Sequence, residues 1–219
     1  PDAALWIWKR WDALHYVNMA ELGYSGYMED GKHLFLVFFP LYPWLMRLVS
    51  ALTGNTMAAG LLALAKPYLK EHAQILDPFC GVGTLLIERR FLVPARNAYG
   101  IDSFGEAVEK ARVNSKIAGM QINYINRDYF DFVHDYKFDE IVTDLPAGNL
   151  TKPELDVLYR RFFEKSDEVL TEDGRMIFFS REMGLVKKQL RLHPQFRLAQ
   201  EFCIQEKNGS YLFIIEKRQ

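Results

Sequence analysis

The sequence is poor in cysteine and has almost no excess of charge of either sign. Its 219 residues include two cysteines and carry a formal net charge of −1. Cys80 and Cys203 are far apart and lack the spacing of metal ligands, which predicts no zinc site and a reducing compartment such as the cytoplasm. Because no global basic field is present, an RNA or DNA partner requires a local positive patch.

A clear membrane-spanning run is also missing. The most apolar window, residues 34–52, approaches the length that crosses a bilayer, but it contains Pro40, Pro43 and Arg47. We therefore regard it as marginal for a membrane helix, and we expect little membrane contact from this segment. No pattern of a signal peptide is visible.

A regular alternation of strands and helices is present from about residue 57 onward. The segment before it holds all four tryptophans and lacks such alternation. We therefore predict two regions, an N-terminal extension at 1–56 and a catalytic domain at 57–219. The predicted helices are 57–70, 85–91, 104–118, 154–170 and 185–192. The predicted strands are 75–76, 98–102, 122–125, 140–144 and 176–180, with a hairpin of 197–205 and 210–217 around Lys207-Asn208-Gly209.

This order of elements predicts the fold class. Strands that alternate with helices of about ten or more residues form a doubly wound, mostly parallel sheet. The closing hairpin adds an antiparallel strand at one edge. We therefore expect a seven-stranded, Rossmann-like α/β fold, an arrangement that resembles that of class I methyltransferases.

The most informative stretch is the glycine loop Asp77-Pro78-Phe79-Cys80-Gly81-Val82-Gly83-Thr84, between a predicted strand and a predicted helix. Gly81 and Gly83 permit close approach of a ligand to the backbone. The loop lacks the third glycine of a dinucleotide site and the Gly-Lys-Ser/Thr ending of a phosphate loop. Its leading carboxylate would repel pyrophosphate but suits a cationic amino acid. S-adenosyl-L-methionine (AdoMet) therefore fits better than a dinucleotide, and a tight turn without ligand is the alternative.

Acidic residues follow the next two predicted strands. Asp102, with Ser103 after it, lies about twenty positions beyond the glycines, where an acid binds ribose hydroxyls. A surface acid or helix N-cap is the alternative for Asp102. Asp128, followed by Tyr129, is placed to accept a hydrogen bond from the adenine amino group, with a plain loop carboxylate as its alternative.

A third acid ends the fourth predicted strand, in Thr143-Asp144-Leu145-Pro146. The proline fixes the backbone after Asp144, so a carboxylate and rigid carbonyls lie at the mouth of the pocket. Such acceptors hold an amine through its N–H groups and direct the nitrogen lone pair at a methyl carbon. A strand-to-loop turn without function is the alternative.

These motifs together resemble those of the THUMP-associated RNA methyltransferases, over residues 57–219. The resemblance is carried by 77–84, 100–102, 126–128 and 143–146. It implies an AdoMet-dependent enzyme that methylates the exocyclic N2 of guanine in tRNA or rRNA. The implied catalytic residues are Asp144, Leu145 and Pro146. The implied cofactor-binding residues are Asp77, Pro78, Phe79, Gly81, Gly83, Thr84, Asp102, Ser103, Asp128 and Tyr129.

Two features bear on RNA as the substrate. In that family an aromatic residue that stacks on the target base ends the fourth motif, whereas this chain has Ala147. Local positive charge can come from two helical segments, although we favour solvated helix faces as the explanation of each of these residues. The residues concerned are Arg89, Arg90, Lys187, Lys188 and Arg191.

The N-terminal region resembles a different family. Residues 10–16, 20–24 and 38–43 resemble the first extracytoplasmic loop of GPI-mannosyltransferase-like membrane glycosyltransferases, which implies Asp12 as an acid or base and a polyprenyl-phosphate sugar donor. The many membrane helices of that family are not seen, so we expect Asp12 and His15 to be inert. We also expect residues 1–50 to pack poorly and to expose apolar surface.

Four functions stay open from the sequence. The leading one is an RNA methyltransferase that acts on a guanine amine. The others are a methyltransferase for protein or small molecules, a non-catalytic AdoMet-binding module, and a truncated glycosyltransferase fusion.

Overall fold

The computed structural model describes residues 62, 64–146, 148, 150–205 and 209–218. The chain divides into two compact units, 1–64 and 65–219, and the described residues belong almost entirely to the second. Several predictions concern residues outside the described part of the chain. They are the boundary at residue 56, the inert Asp12 and His15, the poor packing of 1–50, and Ala147 in the fourth motif. Within the described part, no helix combines the length and apolarity needed to cross a membrane.

The described residues of the second unit form seven strands and four α-helices. The strands are β1 (Ala73–Asp77), β2 (Ala95–Asp102), β3 (Asn123–Asn126), β4 (Phe138–Asp144), β5 (Leu170–Ser180), β6 (Phe196–Gln205) and β7 (Ser210–Lys217). The helices are α1 (Thr84–Leu92), α2 (Gly105–Ile117), α3 (Lys152–Val169) and α4 (Met183–Leu192). Short 3₁₀ helices occupy Lys66–Tyr68 and Tyr129–Asp131.

The strands form one sheet in the order β3-β2-β1-β4-β5-β7-β6. The pairs among β1 to β5 are parallel, whereas β7 runs antiparallel to both β5 and β6. This confirms the predicted Rossmann-like fold with its terminal hairpin. The order also places β1 and β4 side by side at the centre, although they are far apart in the sequence.

Burial explains why these segments form these elements. All five residues of β1 are buried, as expected for a central parallel strand covered on both faces. α3 begins with a capping box, in which Thr151 N donates to Glu154 Oε2 at 2.7 Å and satisfies a free donor at the helix start. The hydrophobic core that includes residues of α3, β4 and β5 is rich in aromatic side chains. Among them are Phe138, Phe162, Phe163 and Phe178, all fully buried.

Two predicted boundaries were wrong. The helix expected to run to Lys70 gives way to a 3₁₀ helix at Lys66–Tyr68, where Pro67 lies in the first turn and lacks an N–H donor. β5 begins directly at Leu170, six residues before its predicted start. The register between β4 and β5 shifts between Phe138 and Glu140, so residues 171–174 form an irregular stretch of a longer strand where the sequence suggested a loop.

Candidate active site

The ends of four adjacent strands bring the predicted acids to one edge of the sheet. Asp77, Asp102 and Asp144 are the last residues of β1, β2 and β4, and Asp128 lies two residues beyond the end of β3. Because these strands are parallel neighbours in the order β3-β2-β1-β4, the acids share the carboxyl edge of the sheet. Open α/β sheets bind their ligands at this edge.

The glycine loop is bonded to β2 at its carboxyl end. Cys80 N donates to the Ile101 carbonyl at 2.9 Å, and Gly81 N donates to Asp102 Oδ2 at 2.9 Å. The other carboxylate oxygen of Asp102 accepts from Phe104 N at 2.9 Å. Asp102 therefore holds both the loop and the segment that leads into α2, a structural role close to the helix N-cap given above as its alternative. Each of its oxygens retains a lone pair for a ligand hydroxyl.

The two loop glycines are required for different reasons. Gly83 has φ of 84°, and a Cβ there would lie 2.3 Å from Tyr124 Oη and 3.1 Å from Ala111 Cβ. Gly81 has φ of 50°, but its Cβ would meet no atom within 4 Å. A glycine is required at position 83 because the Tyr124 side chain occupies the space that a Cβ would need. At Gly81 the corresponding space is open.

Asp77 is a buried carboxylate with an unfinished set of hydrogen bonds. Its Oδ1 accepts from Thr143 Oγ1 at 2.7 Å and from Phe79 N at 3.2 Å, while its Oδ2 is buried and has no hydrogen-bond partner in the described part of the chain. Burial raises the pKa of Asp77 to about 7, and the nearby charges of Asp144 and Asp102 add to this effect. A buried acceptor without a donor is costly, so Oδ2 fits a cationic or N–H-bearing ligand.

An aromatic cluster lies beside the loop. The Phe79 ring is 5.7 Å from Tyr129 and 6.2 Å from Phe130, and it also packs against Phe162 of α3. Tyr129 is only 2% exposed, so its ring belongs to the core and is not open to a ligand. Phe79 and Phe130 are half-buried and supply apolar surface between the acids.

The remaining predicted cofactor residues differ in exposure. Asp128 is exposed and caps the 3₁₀ helix by accepting from Phe130 N at 2.9 Å. Ser103 is exposed, whereas Pro78 and Thr84 are buried. Asp128 and Ser103 are thus open to a ligand, and Pro78 and Thr84 shape the loop from within.

Asp144 is, with Asp128, one of the two exposed acids of the carboxyl edge. Its side chain is exposed, Leu145 after it is buried, and Pro146 is again exposed. The protein that surrounds Asp144 on its inner side raises the pKa of this carboxyl above its ordinary value, and the positive charge of Arg181 opposes the shift. The Leu145 N–H donates to the Phe179 carbonyl of β5, which fixes the backbone where β4 leaves the sheet.

The positive residues singled out from the sequence are not a free basic patch. Arg89 is wholly buried and pairs with Glu140 at 2.8 Å. It neither offers positive charge to RNA nor lies on a solvated helix face, so both expectations for Arg89 were wrong. Lys187 and Lys188 pair with Glu201 and Asp156. Arg90 donates to the Gln121 carbonyl, and Arg191 is exposed in the last turn of α4.

Two arginines near the edge were missed. Arg181 directly follows the last residue of β5, and Arg161 of α3 lies over the Phe130 ring, its guanidinium carbon 3.9 Å from the ring centroid. The sequence could have indicated Arg181 as a site residue, because it directly follows the end of a predicted strand. The described residues contain no group of three or more His, Cys, Asp or Glu side chains that could hold a metal ion.

The fold and the acidic carboxyl edge define a class I methyltransferase type of domain. The chain belongs to the UPF0020 family, described as an RMKL-like methyltransferase domain, whose model matches residues 48–208. This confirms the family predicted from the motifs. The match begins upstream of residue 57, where the sequence predicted the domain to start.

Individual relatives agree with the family. The chain is 34% identical to tRNA (guanine(10)-N2)-dimethyltransferase of Methanothermobacter thermautotrophicus over 48% of its own length and 32% of the relative. It is 27% identical to U6 snRNA (guanine-N(2))-methyltransferase THUMPD2 of Bos taurus over 58% of its length and 25% of the relative. The chain thus spans about a third or less of these two relatives.

A solved structure supports the fold. The chain resembles TrmN from Thermus thermophilus with a TM-score of 0.66 and 25% identity, and the alignment covers 79% of this chain and 53% of TrmN.

Proposed function

We propose that this chain is an AdoMet-dependent RNA methyltransferase that acts on the exocyclic N2 of guanine in tRNA or another structured RNA. The observation that carries the proposal is the pairing of two unlike carboxylates on the neighbouring strands β1 and β4. Asp77 is buried with an unbonded oxygen, whereas Asp144 is open to solvent. The two relatives named above, both guanine-N2 methyltransferases of RNA by their names, support the choice of substrate.

The residues at the carboxyl edge fit the parts of AdoMet. Asp77 Oδ2 is a buried acceptor suited to the ammonium group, and the open side of Gly81 leaves space beside the loop for the methionine portion. Asp102 and Ser103 suit the ribose hydroxyls, and Asp128 suits the adenine amino group. Phe79 and Phe130 offer half-buried apolar surface for the adenine ring. When bound, AdoMet supplies a methyl group activated by the sulfonium charge.

Asp144 and the backbone beside Pro146 would act on the substrate amine. A carboxylate accepts two hydrogen bonds from an NH₂ group and so orients the nitrogen for in-line transfer, an effect that contributes several kcal/mol in well-oriented reactions. The same negative charge stabilises the positive charge that develops on nitrogen. A guanine within a helix must leave the base stack to reach this position.

Binding and transfer test the proposal separately. Calorimetry with AdoMet should detect binding by the wild-type chain, and labelled AdoMet should transfer methyl to tRNA, appearing as N2-methylguanosine after digestion. Asp144→Asn should retain AdoMet binding but lower transfer by about 10²-fold or more, by analogy with loss of one preorganised hydrogen-bonding group.

Matched variants and substrates make the result decisive. Asp135→Asn changes an exposed carboxylate at the opposite edge of the sheet and should leave transfer unchanged. Absence of AdoMet binding would overturn the proposal as a whole. Transfer to protein and to no RNA would overturn the substrate while retaining the reaction.

The domain division and the compartment also remain proposals. We propose that the methyltransferase domain starts near residue 57 and that the enzyme acts in the cytoplasm, as the cysteine content suggests. Expression of 57–219 with retained AdoMet affinity would support the first, and loss of soluble, AdoMet-binding protein would contradict it.

A further inference from the structure

The acidic edge creates an electrostatic requirement if the substrate is RNA. Asp77, Asp102, Asp128 and Asp144 all lie at the carboxyl edge, and the target nucleotide must reach Asp144 at this edge. A polyanion is repelled by such a group of carboxylates, and the chain has no net positive charge to offset this. A local cation beside Asp144 is therefore needed to hold the phosphate backbone.

Arg181 occupies that position. It is the first residue after β5, and the register pairs Asp144 of β4 with Phe179 of β5, so Arg181 follows just beyond the partner of Asp144. Its charge acts on the Asp144 carboxyl. Arg181 is exposed and forms no ion pair with a described carboxylate, whereas many exposed cations elsewhere are paired, for example Lys110 with Glu106 and Arg197 with Glu216.

The backbone that carries Arg181 is fixed on both sides. Ser180 Oγ accepts from Glu182 N at 2.8 Å and is also hydrogen-bonded to Tyr159 Oη. Leu185 N then donates to the Glu182 carbonyl at 3.0 Å as α4 begins. Arg181 therefore projects from a hydrogen-bonded turn, which fixes the backbone position of this arginine beside the end of β4.

We propose that Arg181 binds the phosphate next to the target nucleotide and so positions the target amine at Asp144. This inference rests on the proposed function and adds a substrate-binding residue to it. Guanidinium is the side-chain group best matched to a phosphate, because its planar donors bind two oxygens at once.

The salt dependence of RNA binding tests this role directly. We would measure anisotropy of a fluorescein-labelled, unmodified tRNA transcript with the full 219-residue chain between 50 and 300 mM salt, values in the range where such slopes are resolved. Loss of one phosphate contact should lower the slope of log affinity against log salt by about 0.7 to 0.9 in Arg181→Gln. Affinity at about 0.1 M salt should then fall roughly five- to eightfold.

Three comparisons separate this role from a structural one. Arg181→Lys should keep the wild-type slope because it keeps the charge. Lys116→Gln removes an exposed lysine from the last turn of α2 and should behave as wild type. AdoMet affinity should be unchanged in all three variants, and for Arg181→Gln the loss of activity should appear in KM for RNA rather than in kcat.

The outcomes distinguish this inference from the proposed function. If the wild-type chain methylates RNA and Arg181→Gln retains its slope and affinity, only the role of Arg181 is overturned. An equal fall in slope for Lys116→Gln would also overturn it, since the contribution of positive charge would then be diffuse. If the wild-type chain binds AdoMet but neither binds nor methylates RNA, the RNA substrate itself fails, and Arg181 loses its role with it.

Discussion

Charged side chains are buried at both ends of the parallel strands, but their hydrogen bonding differs. We call the end where the strands begin the amino edge, opposite the carboxyl edge. At the amino edge, Arg89 donates to Glu140 at 2.8 Å and to the carbonyls of Val93 and Lys70 at 2.7 Å each, and Glu140 also accepts from Lys70 N. At the carboxyl edge, Asp77 Oδ2 is buried without a hydrogen-bond partner among the described residues. Buried polar groups that are fully bonded support a fold, whereas an unbonded one is costly and requires an explanation. At the carboxyl edge, a bound ligand would supply the missing donor to Asp77.

The largest expected effect comes from breaking the amino edge. Arg89→Met leaves Glu140 as a buried charge without its partner and removes donors from two carbonyls. We expect a loss of about 3–5 kcal/mol in the free energy of unfolding, as for other broken buried pairs. Urea denaturation at pH 7 measures this, and the folded fraction should retain the AdoMet affinity of the wild type.

The control for this variant is a more exposed ion pair whose acid, Asp139, lies next to Glu140 on β4. Arg96 lies 3.6 Å from Asp139 with 60% of its side chain exposed, and Arg96→Ala should cost less than about 1 kcal/mol. Equal losses for Arg89→Met and Arg96→Ala would contradict the assignment of the amino edge as the main electrostatic support of the fold.

At the carboxyl edge, substitution of the charged group should have the opposite effect. Asp77→Asn should gain stability relative to the wild type as pH rises. The pKa of Asp77 is raised from 3.8 to about 7 in the folded protein, so the folded state holds a proton that the unfolded state has lost. Stability from this group is therefore complete below the unfolded pKa and is lost as pH rises through the folded pKa. Between pH 5 and pH 8 this amounts to about 2.5 kcal/mol, since one pKa unit corresponds to about 1.4 kcal/mol.

Asp77→Asn removes that titration, so its stability relative to the wild type should rise by about this amount between pH 5 and pH 8. Urea unfolding of both proteins at the two pH values measures the difference, with Asp135→Asn as the control for an exposed carboxylate. AdoMet affinity should tighten from pH 6 to 8 in the wild type and stay flat and weaker in the variant. Parallel stability profiles for the two proteins would contradict the burial of a titrating carboxyl.

The contrast between edges also explains what the sequence could predict. Strand-end acids such as Asp102 and Asp144 were found because chain position alone places them at the carboxyl edge of a parallel sheet. Arg89 was misjudged because a basic residue on an amphipathic helix is usually solvated, and only the pairing of β1 with β4 brings Glu140 to it. Contacts between residues this far apart in the chain leave no local pattern.

The fold was predictable for a related reason. Apolar runs and turn residues recur at fixed spacing, so element type and order follow from local sequence. Element ends depend on tertiary pairing, and residues 171–174 belong to β5 because the strand continues past a shift in its register with β4. The requirement for glycine at position 83 could not be predicted for the same reason. It depends on the side chain of Tyr124 in β3 and not on the sequence of the loop itself.

The smallest expected effect separates the two glycines of the loop. Gly83→Ala places a Cβ 2.3 Å from Tyr124 Oη at φ of 84°, and we expect a cost of about 2 kcal/mol from overpacking and backbone strain. Gly81→Ala meets no atom within 4 Å and should cost about 1 kcal/mol from its left-handed backbone alone. AdoMet affinity should show the reverse order, because only the Gly81 side of the loop is open to a ligand.

Tyr124→Phe provides the cycle that tests this division. Removing Oη relieves the closest contact, so Gly83→Ala should cost less in the Tyr124→Phe background than in the wild type, whereas the cost of Gly81→Ala should not change. Thermal or urea unfolding of the single and double variants gives both coupling energies. A coupling of Tyr124 to Gly81 as large as that to Gly83 would mean that both glycines serve the packing of the fold, and the loop would then offer no side reserved for the ligand.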